Sequence, residues 1–479
     1  MKDADHPSKP GVGERAAEVA APAQTPFEPP KPRSRADRVS LWQYLRLFRA
    51  DLLSAQPSRL YRAWMAEFRT PFFRSFLVNQ PELVARVLKQ EPEDFPKSDR
   101  ITEGLRPLLG NSVFVTNGAM WKRQRRIIDP AFEGGRLKDT YPAMHAAAQA
   151  LVTRLHERDL TQPVEMEEMA SHVAADVIFR TLFSMPITHH LARDVFQRFR
   201  SYQQAQPILN LAAFVRLPRW VPRFHTRDAK QNATHLRQLI QQLTEQRMAE
   251  IASGTAPDDL ATKIMTTTDP ETGEGFSADE MVDQVAIFFL AGHETSAAAL
   301  SWALYLLACS PKWQEAVAAE AAAADLSDFA AISRLRATRD VFRETLRLYP
   351  PVPMMVRETT RAKRFRNREV PKRSQIVLSP WHLHRHERLW GRPDVFDPGR
   401  WQSDKANACP QEAFIPFSAG PRVCTGAGFA MVEGVMLLAM ILRHFRVEAI
   451  EDRVPVPQAH LTVRSKNGIW LRLTPRDAT

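Results

Sequence analysis

Phe417-Ser418-Ala419-Gly420-Pro421-Arg422-Val423-Cys424-Thr425-Gly426 runs straight into an apolar stretch, Ala427 to Phe445, with helical patterning. A cysteine just before a helix N-terminus lies among free backbone N–H groups and at the positive end of the macrodipole. Both favour thiolate, and a thiolate can ligate iron. Gly420 and Gly426 let the loop backbone lie close against a flat cofactor, Arg422 can meet an acid group on it, and Phe417 can pack beside the sulfur. A lone cysteine is more often a small buried apolar residue. Nine ordered neighbours reverse that balance.

Working back along the chain, Ala291-Gly292-His293-Glu294-Thr295-Ser296 lies in a long apolar run. Phe288, Ala291, Gly292, Thr295 and Ala299 share one helical face, leaving a small open surface that carries one hydroxyl. Such a stripe has room for a small ligand; otherwise it serves close helix packing. His293-Glu294 invites a metalloprotease reading, but residue 297 is Ala where H-E-x-x-H needs its second His. Trp121-x-x-x-Arg125 sets an indole N–H and a guanidinium one helical turn apart, suited to one carboxylate. Glu344-x-x-Arg347 pairs opposite charges at i, i+3 just before Tyr349-Pro350-Pro351. His382, His384 and His386 alternate without an Asp in the run, and we read them as structural or surface histidines.

The cysteine loop matches, at every specified position, the haem-ligand signature Phe-x-x-Gly-x-Arg-x-Cys-x-Gly, and the chain resembles the cytochrome P-450 family over roughly residues 40–475. The resemblance implies that Cys424 is the proximal ligand of haem b. It implies that the helix bulges at Ala291 and Gly292, that Thr295 hydrogen-bonds bound dioxygen, and that Glu294 is the acid of a proton relay. It makes Glu344, Arg347 and Arg400 a buried ion network, with Arg400 in Pro398-Gly399-Arg400-Trp401 where the family often has Glu for Gly399. Trp121, Arg125, Arg357 and Arg422 match family contacts to the haem propionates. The implied fold is mostly α (α+β), the triangular P-450 architecture with a large helical part and a smaller β-rich part. The implied activity is reductive activation of dioxygen and insertion of one oxygen atom into an apolar C–H bond or alkene. A peroxide-driven peroxygenase and a non-catalytic haem sensor are the alternatives, and the Glu294-Thr295 pair argues for dioxygen.

Around these motifs, the 479 residues are 44% hydrophobic and 25% charged, a composition that excludes disordered, collagenous and disulfide-stapled classes. Cys309, Cys409 and Cys424 are an odd number without a C-x-x-C pair, which points to a reducing compartment, and the polar first residues carry no signal-peptide pattern. The expected location is cytoplasmic. The best membrane-span candidate, 286–308, holds His293, Glu294, Thr295 and Ser296 at its middle, so no transmembrane anchor is expected. Residues 1–38 are Pro-rich and read as a disordered leader to a single catalytic domain over 39–479. Leu41, Trp42, Leu45, Phe48 and Leu52 form an apolar stripe on a first helix.

The net charge of +11 is compatible with an acidic partner, and no nucleic-acid-binding signature accompanies it. The sequence has no flavin or iron–sulfur segment, so electrons must come from a separate protein. Lys122, Arg123, Arg125, Arg126, Arg422 and Arg443 fall near segments that the resemblance places by the proximal haem face, and a ferredoxin or flavodoxin is expected to dock there. An apolar substrate pocket is expected from four segments. These are Phe288, Phe289 and Leu290; Ile101, Leu105, Leu108, Val113 and Phe114; Val352, Met354 and Met355; and Thr462 with Val463.

Overall fold

A computed structural model of the chain describes residues 26–69, 74–133, 135–205, 227–402, 411–459 and 461–476. Helices dominate, as expected, with short strands gathered in small sheets. The axis of the molecule is the helix Ala278–Ala308, hereafter the central helix. It starts where Ser277 and Glu280 form a capping box: the Ser277 hydroxyl accepts from the Glu280 N–H at 3.2 Å, and the Glu280 carboxylate accepts from the Ser277 N–H at 3.0 Å. It stops at Cys309, and Pro311 opens the next helix, Pro311–Ala323. The helices Met166–Phe183, Arg227–Ser253, Arg336–Leu348 and Ala427–His444 pack around it, so apolar side chains on nearly all its faces are buried. A Cβ built on Gly292 would lie 2.5 Å from Ile178 Cδ1 of Met166–Phe183, so a larger residue here would make the Ile178 side chain shift.

The main sheet has four strands. Met65–Arg69 pairs antiparallel with Arg74–Val78, which runs parallel to Gln375–Leu378, itself antiparallel to Met355–Glu358. The last of these brings Arg357 toward the helical body. Among the described residues one helix, Ala427–His444, is long and apolar enough to cross a membrane by length and composition. It is the core helix behind Cys424, and the sequence reading had singled out 286–308 instead.

The disordered-leader expectation is corrected for 26–38. Phe27 packs on the core and its carbonyl accepts from Phe396 N at 3.0 Å, Tyr349 Oη donates to Pro30 O at 2.6 Å, and Lys31 pairs with Asp394. Proline-rich chain cannot build a core of its own, but its carbonyls and its one Phe are taken up by groups from the body. Residues 1–25 lie outside the described residues. Trp42 also departs from its expected stripe: it is 83% exposed while Leu45 and Phe48 are half-buried. The three histidines lie in the short helix Pro380–Leu383 and the turn after it, not on a strand, and all are buried. His384 Nε2 accepts from Ile415 N at 2.9 Å, which ties this turn to the chain entering the cysteine loop. Burial, then the Arg347 charge, pushes His384 down to about 3, so it acts as a neutral acceptor.

Candidate active site

Between the central helix and the cysteine loop lies a cavity of about 980 Å³, lined among others by Ala291, Gly292, Thr295, Phe417, Arg422, Cys424 and Gly426. Cys424 N donates to Phe417 O at 2.9 Å, closing the loop, and Ser418 and Gly420 take left-handed φ values of 65° and 69°. A Cβ on Gly420 would fall 2.0 Å from Leu88 O in the π turn Arg86–Gln90. Gly420 is therefore demanded by this backbone contact, a correction to its expected place against a cofactor. Gly426 differs, since its Cβ would meet nothing within 4 Å, and it lines the cavity. Cys424 is open to the cavity yet deep in the protein. Burial pushes its thiol up, against the opposing pull of a Gly426 backbone hydrogen bond and the Arg125 charge.

Beside the loop, buried Trp121 carries the Arg422 guanidinium 4.7 Å and the Lys97 ammonium 5.8 Å from its ring centroid. Lys97 Nζ donates to Val113 O at 2.6 Å and Thr116 O at 3.2 Å. Burial, then the charges of Arg357, Arg422 and Arg125, pushes Lys97 well down, and burial followed by Arg422 pushes Arg357 down to about 10. Arg422 donates to Pro92 O at 2.7 Å, and its buried Nε has no partner among the described residues. None of Lys97, Arg357 and Arg422 is in an ion pair among the described residues. Glu93 draws on Arg422 alone of the three, and like charges gathered with so little acid are costly, so this cluster fits a bound group carrying carboxylates. Lys97 was not foreseen; its only signal was a place four residues before Ile101, the first residue expected at the pocket. Arg125, expected to share a carboxylate with Trp121, lines the cavity with it and donates to Asp129 Oδ2 at 2.8 Å and Val423 O at 2.7 Å.

On the opposite wall, Thr295 Oγ1 donates back to Ala291 O at 2.6 Å. The helix runs through unbroken, so the expected bulge is absent. Glu294 is buried and engaged: its Oε1 accepts from Thr462 Oγ1 at 2.7 Å and stands 3.4 Å from Arg464, and its Oε2 accepts from Gln203 Nε2 at 2.8 Å. His293 turns away, its Nε2 2.7 Å from Ser171 Oγ. Ser296 Oγ donates at 2.5 Å to Oε2 of Glu433, a fully buried residue of Ala427–His444 that also lines the cavity. Sequence reading passed over Glu433, since one acid in an apolar helix announces nothing by spacing.

Behind the loop, Glu344 and Arg347 are completely buried. Arg347 donates from Nε to Glu344 Oε2 at 2.9 Å and from Nη2 to Oε1 at 2.8 Å, Arg400 Nε reaches Oε1 at 2.9 Å, and Trp401 Nε1 reaches Oε2 at 3.1 Å. Arg347 also donates to the carbonyls of His384, Pro393 and Val395. The three residues expected as a network are thus brought together, and they fix the chain leading to the cysteine loop.

The family profile described as Cytochrome P450 matches residues 64–472. This chain belongs to the cytochrome P450 family. It is 31% identical over 398 residues to cyclooctatin synthase of Streptomyces melanosporofaciens, covering 81% of this chain and 84% of that protein. It is 32% identical to cyclooctat-9-en-7-ol 5-monooxygenase of the same organism (81% and 83%) and to human cytochrome P450 4A11 (79% and 76%). As a cytochrome P450 the chain is a haem-iron monooxygenase that draws electrons from a redox partner and oxidises an organic substrate.

In this P450 most of the residues expected at the substrate pocket border the cavity. Phe288, Leu290, Leu105, Val113, Phe114, Val352, Met354, Met355 and Thr462 line the cavity. Three expected residues do not. Phe289 packs on the Phe179 ring at 4.5 Å, Leu108 is buried under Arg237, which donates to its carbonyl, and Val463 lies in the strand Val463–Ser465, its carbonyl accepting from Trp302. The side chain of Ile101 lies outside the described residues. Of the basic residues expected to meet a redox partner, Arg123 pairs with Glu280 and Arg126 with Asp269 and Glu271, whereas Lys122, in a surface pair with Glu93, and Arg443, which donates to Ala324 O, are exposed.

Proposed function

We propose that this P450 binds haem b with Cys424 as proximal thiolate, and inserts one oxygen atom into a hydrophobic small molecule. The observation that carries the reading is that Cys424 and the cluster of Lys97, Arg357 and Arg422, which makes no ion pair among the described residues, line one and the same apolar cavity. Lys97, Arg357 and Arg422, with Trp121, hold the two propionates; charge-assisted hydrogen bonds to them relieve the repulsion within the cluster. When bound, the iron supplies reductive activation of dioxygen, and thiolate ligation favours O–O cleavage.

The chain's own residues do the rest. Phe288, Leu290, Val113 and Met355 exclude water and orient an apolar substrate. Thr295 offers its hydroxyl to the cavity once it is released from Ala291 O. Electrons come from a ferredoxin or flavodoxin with its reductase, and the unpaired cysteine spacing suits the cytoplasm as the place of work.

Turnover of an apolar probe such as dodecanol with dioxygen, reductase and ferredoxin, set against peroxide alone, tests this reading. We expect product oxygen to derive from labelled dioxygen and peroxide to give at most a few per cent of that rate. Equal rates with peroxide alone would overturn it.

A further inference from the structure

A second cavity, of about 270 Å³, opens on the surface of the β-rich part, where three segments far apart in sequence meet. Arg62 and Trp64 come from the chain entering the strand Met65–Arg69. Arg366, Asn367 and Arg368 come from the hairpin that pairs Lys363–Phe365 with Arg368–Val370, and Arg388 from the turn after the helix Pro380–Leu383. Four arginines line this cavity and no acid does. Arg368 reaches Glu67 Oε2 at 3.1 Å, whereas Arg62, Arg366 and Arg388 are exposed and in no ion pair among the described residues. The wall between them is fixed. Trp64 is half-buried with its ring stacked on His386, centroids 4.5 Å and planes 19° apart, and its carbonyl accepts from Asn79 N at 2.9 Å and Gln80 N at 3.1 Å. The Arg388 guanidinium stands 5.5 Å from the Trp64 centroid. Burial pushes His386 down to about 4, so the stack adds no charge of its own. Phe365 faces Arg368 across the two-residue turn Arg366-Asn367, and Arg366 holds a left-handed φ of 54°, which costs any residue but glycine free energy and is met by Asn or Gly in most such turns.

We infer that this cavity binds a phosphate monoester, with its phosphoryl group among the guanidiniums of Arg62, Arg366 and Arg388 and its organic part against the indole of Trp64. The site goes beyond the monooxygenase reading and does not depend on it. A guanidinium offers paired N–H donors in a fixed fork that matches two phosphate oxygens. A phosphate monoester carries three terminal oxygens and a charge of about −1.5 to −2 at neutral pH, so it can engage all three cations at once. A carboxylate brings two oxygens and a single charge, and leaves part of the cluster unmatched. The cavity also exceeds what a phosphoryl group fills, and the space left beside the indole suits an aromatic or aliphatic group. Soluble phosphate monoesters and the headgroup of phosphatidic acid share this chemistry.

The test uses the haem-loaded full chain at physiological ionic strength, since surface charge is exaggerated in low salt. Phenyl phosphate and benzoate are titrated by isothermal calorimetry, and co-sedimentation is measured with phosphatidylcholine vesicles with and without phosphatidic acid. The proteins are the parent, Arg366→Ala, the double variant Arg62→Ala with Arg388→Ala, and Arg472→Ala, an exposed arginine of the strand Trp470–Pro475 that does not line the cavity. All the changes are at exposed side chains, and an unaltered thermal unfolding curve shows that each variant is folded. We expect a single phenyl phosphate site with a Kd below about 1 mM and at least about tenfold tighter than benzoate. Affinity should fall about tenfold or more in Arg366→Ala and in the double variant, and stay as in the parent in Arg472→Ala. Binding only to vesicles that contain phosphatidic acid, lost in the same variants, assigns the phosphoryl group to a lipid headgroup. Absence of saturable binding to both probes, benzoate binding as tight as phenyl phosphate, or affinity that survives both cavity changes would overturn the inference; in the last case the anion sits elsewhere, the haem cavity included.

Discussion

Glu344 and Glu433 are buried to the same depth, 0% and 1% exposed, and are driven in opposite directions. At both, burial is the largest influence and favours the neutral acid. At Glu344 it is overcome by Arg347, then by Arg400 and the Asp397 N–H, and the carboxyl is held below its usual range. At Glu433 a single serine hydroxyl opposes it, and the carboxyl rises to about 8. Depth therefore does not set the charge of a buried acid; the number and charge of its donors do. The first acid is a permanent anion that fixes the approach to the cysteine loop. The second can exchange a proton.

The largest way to break this contrast is to strip the donors from the first site. Arg347→Met leaves Glu344 buried with Arg400, Trp401 and the Asp397 N–H, and takes from the carbonyls of His384 and Pro393 the guanidinium that donates to them. It should cost about 3–5 kcal/mol, measured by urea unfolding of the haem-loaded protein, and haem retention should fall with it. A loss below about 1 kcal/mol would show that the network is not held by its charge.

A smaller effect sharpens the second site. With the folded Glu433 raised above its unfolded value, the native state keeps a proton that the unfolded chain has lost between roughly pH 4.5 and 8. Over that window Glu433 lowers stability by about 1.4 kcal/mol per pH unit as pH rises, levelling off above about 8. The isosteric Glu433→Gln should abolish this slope, so the stability difference between parent and variant should shift in the variant's favour from pH 5 to pH 8. Parallel curves would mean that Glu433 is ionised throughout. Glu344 has the opposite sign: its contribution is present above its unfolded value and is lost only as pH falls through its lowered folded one.

Much of this was legible in the chain. The cysteine loop, the Thr295 helix and the Glu344–Arg347 pair are local patterns of closely spaced residues, and each lies where the sequence puts it. What escaped depends on segments meeting across the fold. Arg123 looks like free surface charge until Glu280, 157 residues away, is seen to hold it. Gly420 looks like a cofactor contact until Leu88 is placed beside it. Phe288 and Phe289 are both expected at the pocket, though only Phe288 shares the Thr295 face, and Phe289 packs on Phe179 instead. Lys97 and Glu433 are single residues without a pattern, and their meaning comes from what does not surround them: acids for the one, donors for the other.

The measurement that bears most directly on the account is the absorption spectrum of the reduced, carbon-monoxide-bound protein, recorded for the parent and for Cys424→Ala. The account predicts a strongly red-shifted Soret band in the parent that is lost in Cys424→Ala. A band at the imidazole-ligated position in the parent, or an unchanged red-shifted band in the variant, would contradict it.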